Sequence, residues 1–124
     1  MNPNQENILI VDDDESIRTL ISETIALYGY RALSVESVRE AFETITKEHV
    51  DLMLLDLHMP GVYGQELLRL LREYGSDLPI IIISGYVETL LEEDLREMAS
   101  AILRKPFSID ELMDEIDRTL WDKE

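Results

Sequence analysis

The chain contains no cysteine, and only three of its 124 residues are lysine, two histidine and one tryptophan. Without cysteine it forms no disulfide, offers no thiolate nucleophile and holds no Cys-ligated zinc, a composition that fits a reducing cytosol. The five glycines, Gly29, Gly61, Gly64, Gly75 and Gly85, form neither a G-x-G-x-x-G pattern nor a P-loop, so a nucleotide- or flavin-binding site is not expected. Positive charge is scarce: 11 basic residues against 27 acidic ones give a formal charge of −16, which repels nucleic-acid phosphates and anionic membranes. Direct binding to either is not expected. No apolar run approaches membrane-spanning length, and Met1 to Asn7 has no basic or apolar targeting segment. The expectation is a soluble, unexported cytoplasmic protein. A chain of this length buries one core, so a single domain is expected over 7–121, with 1–6 a flexible arm and 122–124 a tail.

What the chain does have is a repeated arrangement of apolar runs ending in polar groups. Ile8 to Val11 ends in Asp12-Asp13-Asp14, Leu52 to Leu55 in Asp56, Ile80 to Ile83 in Ser84, and a shorter run, Ala101 to Arg104, precedes Lys105. Contiguous rather than alternating apolar runs indicate strands covered on both faces, as in a parallel sheet between helices. Arg31 to Val35 is a weaker fifth strand. Between the strands, helical periodicity marks Ile17, Leu20, Ile21, Thr24, Ile25 and Tyr28, ended by Gly29; Val38, Ala41, Phe42 and Ile45; and Leu67, Leu68, Leu71 and Tyr74, bounded by Gly64 and Gly75. A very acidic fourth segment lies between Val87 and Met98. The last helix turns Ile109, Leu112, Met113, Ile116 and Leu120 inward. Ser37-Val38-Arg39-Glu40 and Ser108-Ile109-Asp110-Glu111 read as capping boxes. Strand and helix alternate five times, which predicts an α/β, doubly wound, five-stranded parallel sheet with helices on both faces.

In such a sheet ligands bind at the carboxyl ends of the strands, where these polar groups would converge. Asp12, Asp13 and Asp56 suit Mg²⁺, which takes one or two carboxylates plus water and phosphate oxygens. Acidic residues after strands also cap helices, and Asp14 or Glu15 reads that way. Asp56 does not, because no helix begins for several residues after it. Three converging carboxylates repel one another, which makes the site dependent on a cation. A carboxylate can attack phosphorus to give an acyl phosphate, with an ammonium and a hydroxyl neutralising the phosphoryl oxygens. Lys105 is the lysine that directly follows an apolar strand; Ser84 before Gly85 fits either the hydroxyl or simple turn chemistry. His58 has no Ser or Cys partner in register and reads as a turn residue.

Together, Ile8-Leu9-Ile10-Val11-Asp12-Asp13-Asp14, Leu54-Leu55-Asp56-Leu57-His58-Met59-Pro60-Gly61, Ile82-Ile83-Ser84-Gly85 and Lys105-Pro106-Phe107 resemble the receiver domain of two-component response regulators. The resemblance covers about residues 7 to 121 and implies a flavodoxin-like fold. It implies that Asp56 accepts a phosphoryl group from a sensor histidine kinase or phosphotransfer protein. Asp13, Asp56 and the His58 backbone carbonyl would hold Mg²⁺, with Asp12 contributing directly or through water. Ser84 would hydrogen-bond the phosphoryl group and Lys105 would pair with it. The Lys105-Pro106 peptide is usually cis in the family. The changed surface would be that of the last two helices and the strand between them, read by an effector protein or a fused output domain; a homodimer through the last helices is compatible with this.

Several positions depart from the family pattern. Ile102 stands where many receivers have a switching Tyr or Phe, so Ile102 and Tyr86 are the candidates for the switch surface. Met98 or its neighbours replace a common glycine before the fifth strand, the stretch from Ser84 to Lys105 is about one residue short, and Tyr63 stands where Asp is frequent. Trp121 is expected at the edge of the core. The chain stops at Glu124, which fits a stand-alone receiver or one excised from a longer regulator. It is expected to be a phosphoacceptor that acts only on its own phosphoryl group, not an enzyme. A rival reading is an aspartate-based phosphatase of the haloacid dehalogenase type, with Asp12 as nucleophile and Asp14 as acid/base. That enzyme needs a further acidic pair after a strand beyond the lysine, and it leaves Asp56 unexplained. A second rival is a constitutive, non-phosphorylated binding module, against which all five pocket residues weigh.

Overall fold

The computed structural model describes residues 5–57, 64–85 and 96–121. Five strands, β1 (Asn7–Val11), β2 (Arg31–Val35), β3 (Leu52–Asp56), β4 (Ile80–Ser84) and β5 (Ala101–Arg104), form one parallel sheet in the order β2-β1-β3-β4-β5. The described helices are α1 (Glu15–Leu27), α2 (Val38–Lys47), α3 (Gly64–Glu73) and α4 (Ile109–Trp121). Most of the acidic segment expected as a helix between Val87 and Met98 lies outside the described residues; its end, 96–98, is helical.

The central strands are the contiguous apolar runs, and their side chains alternate between two cores. Ile8, Ile10, Leu52, Leu54, Ile81 and Ile83 pack with Ile21 and Ile25 of α1 and Leu112, Met113, Ile116 and Leu120 of α4. Leu9, Val11, Met53, Leu55, Ile80 and Ile82 face Ala41 of α2 and Leu67, Leu68 and Leu71 of α3. The doubly wound arrangement follows, since each strand residue is buried whichever way it points. β2 and β5 are the sheet edges, which explains their mixed polarity.

Several local expectations are corrected: Phe42 of α2 and Ile109 of α4, expected to face inward, are exposed. In α1 the inward row is Ile17, Ile21 and Ile25, spaced by four, whereas Leu20 and Tyr28 lie outside it and are exposed. Tyr74 of the third stripe lies past the end of α3 and is also exposed. The capping box at Ser108 is complete, with reciprocal bonds of 2.9 and 3.0 Å to Glu111. At Ser37 only half forms: the hydroxyl accepts from the Glu40 amide, while the Glu40 carboxylate takes the amide of Glu36 instead. Gly29 and Gly75 close α1 and α3 with positive φ of 96° and 80°, the conformation that glycine adopts without a Cβ penalty.

Two long-range ties complete the frame. Arg72 donates to the carbonyls of Ser76, Leu78 and Met98 through four bonds of 2.7 to 2.9 Å, joining α3 to the approaches of β4 and β5. The Trp121 indole N–H donates to the Tyr30 hydroxyl at 2.9 Å, and Tyr30 donates to Asp117 at 2.6 Å. Trp121 therefore sits over the core edge, about half exposed.

Candidate phosphoryl and cation site

Strand register assembles the site. Val11 is level with Leu55, so the next residue, Asp12, comes level with Asp56 on the neighbouring strand. Asp56 is level with Ile83, which sets Ser84 one residue further along; Ser84 is level with Arg104, which sets Lys105 one further again. The four groups climb across β1, β3, β4 and β5 in strand-to-strand steps of about 4.8 Å. Backbone bonds fix the upper steps: the Leu57 amide donates to the Ile83 carbonyl at 3.1 Å, and the Lys105 amide to the Ser84 carbonyl at 2.8 Å. The Lys105-Pro106 peptide is cis.

Carboxylate oxygens of Asp12, Asp13 and Asp56 lie within 4.8 Å of one another. Asp12, Asp56 and Ser84 are buried, at 2%, 3% and 1% exposure, whereas Asp13 opens to solvent. The Lys105 ammonium stands 3.5 Å from Asp56 Oδ2 and is itself partly exposed. Burial pushes the Asp12 carboxyl above its ordinary value; its bond from the Asp14 amide lowers it, the Asp56 charge raises it, Lys105 lowers it and Asp13 raises it. Three carboxylates beside one ammonium leave an excess of negative charge in a half-buried pocket. The all-oxygen donor set fits a small, hard divalent cation.

Asp14 does not join the cluster. Its side chain accepts from the amides of Ser16 and Ile17 at 2.9 and 3.4 Å, capping α1, so the acid/base position required by the phosphatase reading is occupied by a helix cap. Arg18, which the motifs gave no reason to single out, donates to the Asp12 carbonyl at 2.7 Å and holds the β1–α1 turn. Its only signal was its place one turn into α1. His58, Tyr63 and Tyr86 lie outside the described residues. Ile102 is level with Ile82 and packs, half-buried, against the core shared with α2 and α3.

The family model for the response regulator receiver domain matches residues 8–117. The chain belongs to this family. Sporulation initiation phosphotransferase F of Bacillus subtilis (strain 168) is 34% identical over 116 residues, covering 93% of this chain and 94% of that protein. The C4-dicarboxylate transport transcriptional regulatory protein DctD of Pseudomonas aeruginosa is 34% identical over 117 residues, 94% of this chain but 25% of its own length. The chain thus spans about a quarter of that relative. Among solved structures, the response regulator protein TrrA of Thermotoga maritima in complex with Mg²⁺-BeF superposes with a TM-score of 0.83 at 32% identity, covering 94% of this chain and all of that one. The fold is the flavodoxin-like receiver fold, and the chain is a phosphorylation-controlled switch of two-component signalling. Neither rival reading is favoured. No helix among the described residues is long and apolar enough to cross a membrane.

Proposed function

We propose that Asp56 is the phosphoacceptor and that Asp12, Asp13, Asp56 and the main-chain carbonyl of His58 hold Mg²⁺. The observation that carries the reading is a buried Asp56 carboxylate flanked by an ammonium at 3.5 Å and by two further carboxylates within 4.8 Å. An Asp56 oxygen attacks the phosphorus of a phosphohistidine on a histidine kinase or phosphotransfer protein. The new P–O bond forms as the P–N bond breaks, and the departing imidazole nitrogen takes up a proton. Bound Mg²⁺ supplies positive charge against the phosphoryl oxygens. Lys105 pairs with a phosphoryl oxygen, and the Ser84 hydroxyl donates to another.

The acyl phosphate adds charge and acceptors where the resting pocket has Lys105 beside an unphosphorylated carboxylate, which biases an existing equilibrium between two conformations. On this reading Ile102 and Tyr86 belong to the surface that changes, and a downstream effector or a fused output domain reads it. The receiver unit runs from 7 to 121 and works in the cytoplasm, in keeping with β1 beginning at Asn7, α4 ending at Trp121 and the lack of cysteine.

The test is intact mass after incubation with acetyl phosphate, with and without Mg²⁺, on wild type, Asp56→Asn and Asp12→Asn. The expected result is one phosphoryl group gained by wild type only with Mg²⁺ and none by Asp56→Asn. Label that survives Asp56→Asn but is lost in Asp12→Asn would assign the nucleophile to Asp12, and no label on wild type would leave a constitutive binding module. Ile102→Ala and Tyr86→Ala are each expected to weaken partner binding by the phosphorylated form.

A further inference from the structure

At the end of the sheet opposite the acidic pocket, a groove of about 560 Å³ lies across the starts of β1, β3 and β4. Its apolar walls come from Ile45 of α2, Val50 before β3, Leu78 and Pro79 before β4, and Leu120 and Trp121 of α4. Glu6, Asp51 and Asp77 also line it, each shortly before a strand. Because β3 lies between β1 and β4, these strand starts span about 10 Å. Asp51 is engaged by the Asn7 amide at 2.8 Å and the His49 ring at 2.7 Å, and the rim residue Glu48 is paired with Arg31 at 3.5 Å. Among the described residues, Glu6 and Asp77 enter none of the ion pairs, although the Arg72 charge acts on Asp77, and neither lysine nor arginine lines the groove.

Beside these carboxylates stands an exposed aromatic held in place. Trp121 is 55% exposed, yet its indole N–H is fixed by the buried Tyr30 hydroxyl. A preorganised tryptophan next to an apolar wall loses little entropy on contact and is the residue type that anchors interfaces. Its ring face also attracts cationic side chains. We infer that this groove docks a basic segment of a partner protein, an apolar residue flanked by lysine or arginine. A second copy of the chain does not suit it, because each copy carries −16. The groove and the acidic pocket are at opposite ends of the strands, so one molecule can hold this segment and remain open to a phosphodonor.

The test is a titration of the full chain with the peptide acetyl-KRLLRK-amide, read by the emission of Trp121, the only tryptophan, and by amide chemical shifts. The expected result is a saturable emission shift with Kd below about 1 mM, and shifts that map to the strand starts around Glu6, Asp51 and Asp77. Glu6→Gln with Asp77→Asn, whose fold is checked by circular dichroism, is expected to weaken binding by about fivefold or more, as is added salt. Four results would overturn the inference: unchanged affinity in the double variant, an equal response to acetyl-EELLEE-amide, shifts gathered at Asp12, Asp13 and Asp56, or no emission change up to about 5 mM peptide. An emission shift driven by protein concentration alone would replace the peptide with a second copy.

Discussion

Lys105 Nζ lies 3.5 Å from Asp56 Oδ2, although 49 residues separate them, because β4 lies between their strands and carries the register from one to the other. The ammonium is already placed where a phosphoryl oxygen on Asp56 would need a counter-charge. Lys105→Ala is therefore expected to slow phosphoryl uptake from acetyl phosphate by about 10²-fold while leaving the fold intact. Time-resolved intact mass at saturating Mg²⁺ measures the rate, and an unchanged rate would remove Lys105 from the reaction.

Asp12 gives a pH dependence of definite sign. Burial, then the charges of Asp56 and Asp13, hold its carboxyl above the ordinary 3.8, so the folded protein keeps this proton more readily than the unfolded chain. Its contribution to stability is full at low pH and is lost as the pH rises from about 3.8 through the raised value. Above the raised value the metal-free protein carries an unfavourable buried charge. Asp12→Asn is expected to stabilise the metal-free protein by about 1 kcal/mol at pH 7 and to reduce the stabilisation that Mg²⁺ gives to wild type. Urea unfolding with and without Mg²⁺ checks both.

Tyr30 provides a second titration at the opposite end. Burial first, then the bond to Asp117, push its hydroxyl up to about 12, while the Trp121 bond lowers it. The folded state keeps this proton where the unfolded chain loses it, so the contribution is full below pH 10 and is lost as the pH rises from 10 to about 12. Tyr30→Phe is expected to cost about 1 to 2 kcal/mol at pH 8 and to flatten the alkaline fall in stability, measured by urea unfolding at pH 9 and 11.

Arg72→Leu removes every donor that holds the carbonyls of Ser76, Leu78 and Met98. The expected loss is about 2 to 3 kcal/mol in urea unfolding. Arg72→Lys, with one point charge in place of a fork, is expected to recover less than half of it.

The sheet was legible because its three central strands are buried on both faces, and their apolar runs leave no competing period. The site was legible for the same reason: a strand end is a fixed place in a parallel sheet, so Asp12, Asp56, Ser84 and Lys105 could be brought together from strand order alone. Helix faces were read less well. Leu20 and Tyr28 fit a 3.6-residue period yet are exposed, because the sheet contacts a narrower stripe than apolar spacing suggests, and Tyr74 is exposed because α3 ends before it. The Glu40 carboxylate took the neighbouring amide, a choice of about one residue that a four-residue pattern does not encode. Arg72, Arg18 and the Tyr30–Trp121 contact were invisible, since a side chain that bonds a main-chain carbonyl, or a hydroxyl 91 positions away, leaves no spacing to recognise.

Arg72 recognises its three partners only through main-chain oxygens, and that has a bearing on how this protein can diverge. Ser76, Leu78 and Met98 present carbonyls that any amino acid would supply, so drift at these positions does not alter what the guanidinium grips. Through the Met98 carbonyl the same grip anchors the approach to β5, and hence the placing of Lys105. Substitutions at these three positions are expected to leave the pocket in place, whereas a single change at Arg72 releases all three carbonyls at once.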